Sequence, residues 1–221
     1  HNGRRRQRQM CIRDRVYMVR AGLFDDVDTV IHWHPSSVNA ADSASTLANR
    51  SAKFTFAGVS SHAASAPDRG RSALDAVEAM NFMVNLLREH VPTSTRLHYV
   101  ITNGGSAPNV VPNTAQSFYY VRHPNETTLR EIWDRVMATA EAAAVGTGTS
   151  MKYEIIHGNY SVLPNDTLAK VMHAKLSSVG GVEYSEADEV FAAEISKTLP
   201  TGTYTKGRCL LYTSPSPRDN R

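Results

Sequence analysis

Lys53-Phe54-Thr55-Phe56-Ala57-Gly58-Val59-Ser60-Ser61-His62-Ala63-Ala64-Ser65-Ala66-Pro67 is the stretch on which the reading of the fold turns. Its first four residues alternate with period two, so Phe54 and Phe56 share one face of a strand. Gly58 then frees the backbone, and His62 follows among residues too small to crowd it, in a loop that Pro67 closes. Such a setting holds a histidine out for use, whereas a core histidine would sit among bulky apolar neighbours.

From Ser72 to Glu89, the residues Ala73, Val77, Met80, Val84 and Leu87 recur at helical spacing, with Ser72 and Asp75 placed as a near capping box and Pro92 as the stop. Arg96 to Thr102 and Ala115 to Arg122 are two β-rich runs separated by a loop containing Gly104, Gly105 and Asn109. Leu129, Ile132, Val136 and Ala140 form a second helical stripe that Gly146 closes, and Met151 to Ile156 reads as a last strand. The order is β-α-β-β-α-β, the ferredoxin-like unit.

On either side the pattern changes. Val27 to Ile31 reads as a short apolar strand running through His32-Trp33-His34-Pro35 into a polar loop. Asn165 to Ser178 is helical by Leu168, Val171, Met172 and Leu176, with Gly180-Gly181 as its end, and a short helix with Val190, Phe191 and Ile195 follows. A compact middle between unfinished pieces predicts an inserted domain: 51–160 inserted, 16–50 and 161–208 flanking it.

Both ends look foreign. Met10-Cys11-Ile12-Arg13-Asp14 and Cys209-Leu210-Leu211-Tyr212-Thr213-Ser214 can be encoded by strings that are reverse complements of each other, and they resemble translations of transposase adapters. Residues 1–15 and 209–221 are therefore read as artefact. Without them the formal charge falls from +3 to −3, because the tails hold eight arginines against two aspartates. The arginine-rich arm then carries no case for nucleic acid. Both cysteines also leave with the tails, which removes disulfides and thiol catalysis from the remainder. No apolar run approaches the roughly 18 residues of a membrane span. The protein is expected to be cytoplasmic, with its natural N-terminus missing.

Several ordered motifs carry a family resemblance: Gly22-Leu-Phe-Asp-Asp-Val-Asp28, Trp33-His34-Pro35, His62-Ala-Ala, Arg71-Ser-Ala-Leu-Asp-Ala76, Leu87-Arg-Glu-His90, and His98-Tyr through Asn109-Val-Val-Pro112 to Arg122. With them the chain resembles the M20 peptidase family of metal-dependent amidohydrolases, and within it the branch that cleaves p-aminobenzoyl-glutamate and related N-acyl amino acids. The resemblance implies a mixed α/β protein: a ferredoxin-like lid, 51–160, that makes a homodimer, inserted in a partial zinc-peptidase-like catalytic domain. It implies two divalent metal ions, zinc or manganese, and a small-molecule amide substrate.

Amide hydrolysis needs an activated water, a polarised carbonyl and a proton donor for nitrogen. The resemblance makes His34 the metal ligand, although relatives with His-x-x-Pro would select His32 instead, and side chains two apart on a strand point the same way. It makes His62 a donor to the oxyanion in the partner's active site, Asn109 a donor to substrate or intermediate, and Arg122 the clamp on the substrate carboxylate. His62, Asn109 and Arg122 are expected near one edge of the lid. His98, His123, His157 and His173 are expected in surface or packing roles. The family's other metal ligands and its general base have no positions in this sequence, so the chain as written is expected to be an inactive fragment. The competing reading is a non-catalytic ferredoxin-like module for dimerisation or ligand binding.

Overall fold

Strand β1 (Ala48–Ala57) buries Ala52, Phe54 and Phe56 completely on one face and leaves Lys53 and Thr55 half-buried on the other, which is what period two requires. Its neighbours are β2 (Arg96–Asn103), β3 (Thr114–His123) and β4 (Ser150–Asn159), in the order β2-β3-β1-β4, with every pairing antiparallel. The computed structural model describes residues 16–31, 33, 39–181 and 183–199. The adapter-like tails, His32 and His34 lie outside the described residues.

Helices α1 (Ala73–Leu87) and α2 (Glu126–Thr147) cover one face of this sheet. Each turns its predicted stripe inward: Ala73, Val77, Met80, Val84 and Leu87 from α1, and Leu129, Ile132, Val136 and Ala140 from α2, are all buried. Trp133, Ala143 and Ala144 widen the α2 stripe beyond what the spacing alone had marked. Ser72 Oγ caps α1 by accepting from the Asp75 amide at 3.1 Å, and Asn125 caps α2 by accepting from Thr128 at 3.0 Å. The α2 helix runs through Gly146 and ends at Gly148 instead, where φ of +64° lets Thr149 N–H reach the Ala144 carbonyl.

One polar group sits within this apolar layer. Asn81, 5% exposed, accepts from the hydroxyls of Tyr119 and Ser117, so burial leaves no hydroxyl unbonded and holds the Tyr119 phenol well above its usual pKa.

The strands begin and end further out than alternation suggested, because β1 already pairs with β3 at Ala48↔His123. The expected strand at Val27–Ile31 is absent: these residues are irregular, with Val30 and Ile31 each 61% exposed. An apolar run supplies only a strand's side chains, and its backbone must still find a partner to bond. Residues 28–44 form, with the chain from residue 163 onward, a second compact unit, while residues 45–162 belong to the first. In the second unit α3 (Asp166–Val179) and α4 (Glu186–Ser196) are capped by Asn165 and Ser185, and no residue of either is buried. No helix among the described residues is long and apolar enough to cross a membrane.

Candidate functional site

Two loops at one end of the sheet are sewn together by backbone hydrogen bonds. Because β1 and β3 are antiparallel neighbours, the chain leaving β1 at Ala57 runs beside the chain entering β3 at Thr114. Gly58 N–H donates to Asn113 O (2.9 Å), Val111 N–H to Ser61 O (2.9 Å) and Ala63 N–H to Asn109 O (3.0 Å). His62 and Val110 form an antiparallel bridge within this ladder. His62 and Asn109, distant in sequence, are thereby placed side by side, and both are exposed.

The imidazole of His62 is oriented locally. Its Nδ1 lies 3.2 Å from the backbone nitrogens of both Ala64 and Ser65 and accepts from them, which leaves Nε2 as the protonated nitrogen of the neutral ring. His62 thus presents an N–H donor outward on a fixed ring, with alanines and serine around it offering no bulk.

Gly58 is needed here for space. A Cβ at this position would stand 1.9 Å from the Arg71 carbonyl oxygen, on the segment that pairs with Val59 through bonds of 2.8 and 2.9 Å. Gly58→Ala is expected to cost about 1–3 kcal/mol by forcing that pair apart. Hydrogen exchange should read it as roughly ten- to hundredfold faster exchange at the Val59 and Arg71 amides, with the Phe54 amide still protected. Unchanged protection at Val59 would show that the loop yields without loss.

Arg122 occupies the other end of the sheet. It lies near the C-terminal end of β3, about 26 Å along the strand from Thr114 at roughly 3.3 Å per residue, so it does not join His62 and Asn109 within one copy of the chain. The expectation of a single edge for all three is corrected: an extended strand separates its ends as far as a chain can. Arg122 is exposed on the sheet face that the helices leave open, its guanidinium 5.3 Å from the centre of the Tyr120 ring. Beside it, Asn49 and Ser51 hold the two ring nitrogens of His157 at 2.9 Å each. Burial first, and the Arg122 charge second, pull the His157 pKa below its usual value, so the ring is neutral. Spacing had no means of marking this cluster, since it assembles from three strands.

The open face between the two ends carries a depression of about 330 Å³ lined by Lys53, Thr55, Gln116, Lys152, Tyr153 and Glu154. None of the candidate residues lines it. His123, 6% exposed, is held between Ser94 and Asn125, the packing role expected of it. Among the described residues no three His, Cys, Asp or Glu side chains stand close enough to hold a metal ion.

Comparison with known proteins places this geometry. The profile of the M20 peptidase dimerisation domain matches residues 46–148. A p-aminobenzoyl-glutamate hydrolase polypeptide of Escherichia coli is 42% identical over 186 residues, 84% of this chain and 39% of that protein. The Xaa-Arg dipeptidase of Mus musculus is 32% identical over 80% of this chain and 41% of its own length. The chain thus spans about two fifths of the length of these relatives. Among solved structures, the aminobenzoyl-glutamate utilization protein of Klebsiella pneumoniae superposes with a TM-score of 0.56 at 21% identity, over 81% of this chain and 50% of that one. That likeness speaks for the fold.

Proposed function

We propose, from the premise that residues 46–148 of this chain belong to the M20 peptidase dimerisation family, that the chain is part of a cytoplasmic metal-dependent amidohydrolase cleaving p-aminobenzoyl-glutamate or a related N-acyl amino acid. The observation that carries this is the 42% identity to the Escherichia coli hydrolase over 186 residues, a length well beyond the matched dimerisation domain. In this reading residues 51–160 are the lid, and 16–50 and 161–208 are portions of the catalytic domain into which it is inserted. Two divalent ions, zinc or manganese, would polarise the amide carbonyl and supply the hydrolytic water. His34 is this chain's contribution to them. The described residues contain no group that fits a metal, so no step is derived through one.

The chain's own residues act on the substrate. His62 donates Nε2–H to the oxygen that becomes negative as the tetrahedral intermediate forms, and the fixed ring supports this by removing any cost of orienting it. Asn109 adds an amide donor beside it. Arg122 holds the substrate carboxylate with its guanidinium fork. The distance between Arg122 and His62 requires that a small substrate touching both take them from two different copies, so the site is shared across a dimer.

The lid surface supports a second copy at one edge in particular. Strand β4 is an edge guarded by Lys152 and Glu154, whereas edge strand β2 exposes Val100 (54%) and Ile101 (41%). Helix α1 lies over β2, with Asn85 bonded to Tyr99, and exposes Phe82 and Leu86. The double variant Phe82→Glu and Leu86→Glu is expected to convert a dimer to a monomer in sedimentation equilibrium while its circular dichroism stays that of the parent. A parent chain already monomeric at high concentration would sink the homodimer reading.

The function itself is tested by sequencing the source DNA outward from the codons of Val16 and Arg208 and assaying the extended protein. Release of p-aminobenzoate from p-aminobenzoyl-glutamate, lost on chelation and restored by zinc or manganese, is the expected result. An extended protein without further metal ligands and without activity would overturn the proposal.

A further inference from the structure

Arg122 does not stand alone at its end of the sheet. In the register of β2 and β3, Arg96 is its direct partner, and both residues project from the open face, since Leu97 and Val121 beside them are buried under the helices. Directly opposed residues have Cβ atoms about 5 Å apart, and like charges so placed destabilise a sheet. No carboxylate faces the pair: the other neighbour of Arg122 is Asn49, and the diagonal positions are His98 and Ser51. With its tails removed the chain is acidic overall, so two facing arginines are a local concentration of positive charge against the general trend.

The donors are also arranged. Arg96 spends Nη1 on two backbone carbonyls, Thr93 O and Thr95 O, each at 2.7 Å. An arginine has five N–H donors, so the Nε–H and both Nη2 protons of Arg96 remain as a bidentate edge on an anchored guanidinium. Arg122 is braced against Tyr120 and keeps its own fork. One carboxylate satisfies one fork, and two forks facing the same side of the sheet call for two carboxylates on one ligand.

We infer that Arg96 and Arg122 form a two-guanidinium clamp for the paired carboxylates of an acidic amino acid, Arg122 taking the α-carboxylate and Arg96 the side-chain carboxylate. The clamp rests on the proposed amidohydrolase reading for its N-acyl ligand, and it adds the substrate class: amides of glutamate or aspartate over those of neutral amino acids.

The test uses this chain with p-aminobenzoyl-glutamate and p-aminobenzoyl-glutamine, which keeps the α-carboxylate and neutralises the other. Side-chain Nε–H resonances of both arginines are followed by NMR at fixed ionic strength. The glutamate conjugate should shift both resonances and bind about tenfold more tightly, the order of one charge-assisted bidentate contact. Arg96→Gln should abolish that preference and leave the glutamine conjugate's affinity unchanged. Arg96→Lys, which keeps the charge without the fork, should lose most of the preference as well. Both variants should fold, because relieving a like-charge pair does not lower the melting temperature. Equal affinity for the two conjugates, or a preference that survives Arg96→Gln, overturns the clamp while leaving Arg122 as the α-carboxylate residue. If neither conjugate shifts Arg122, the clamp and the substrate-binding role of Arg122 fall together.

Discussion

Replacing His62 with alanine is expected to lower kcat of the full-length enzyme toward p-aminobenzoyl-glutamate by about 10²–10³-fold with KM little changed, the loss typical of removing one oxyanion donor. The side chain is exposed and its Nδ1 bonds are confined to the adjacent turn, so the fold should survive the change. A sharper form of the experiment mixes protomers carrying His62→Ala with protomers carrying Arg122→Ala. Because the two residues lie at opposite ends of a strand span of about 26 Å in one copy, each heterodimer rebuilds one intact site and leaves one doubly damaged. Random reassociation of two nearly inactive proteins should therefore recover on the order of a quarter of wild-type activity, as two-fold symmetry dictates. A mixture that stays inactive would show that His62 and Arg122 do not meet across the dimer.

The largest stability effect is expected at Phe54. Its ring is fully buried, edge-on to Tyr119 at 5.6 Å and tilted against Trp133 at 6.0 Å, so it joins both central strands to α2. Phe54→Ala should cost about 3–5 kcal/mol, since the rigid strands around the ring cannot collapse into the space it leaves. At an m-value of about 2 kcal/mol/M this lowers the urea midpoint by roughly 2 M. The neighbouring Lys53 points to the open face, and Lys53→Ala should cost under about 1 kcal/mol, with only a contact to the Phe118 ring to lose. Comparable losses at the two positions would mean that the sheet is not one-sided as described.

The candidate site was less legible than the core, for reasons visible in single residues. His62 could be singled out because its small neighbours and flanking Gly58 are a local arrangement. Nothing local identifies Arg96, which reads as an ordinary strand-edge cation until the register sets it against Arg122. His157 likewise looked bland, and acquires its partners only when β4 is laid beside β1.

What the sequence by itself determined was the order and inward faces of the elements. Periodicity is a property of neighbouring residues, and the apolar stripes at Phe54 and Phe56, along α1 and along α2 could be satisfied only by burial. What the tertiary structure decided was which functional residues meet. Antiparallel pairing of β1 and β3 brings the loops of His62 and Asn109 together although they are far apart in sequence. The extension of β3 carries Arg122 away from Asn109 although they are near in sequence. Distances across a sheet are set by strand register and direction, which emerge only when separate segments pair.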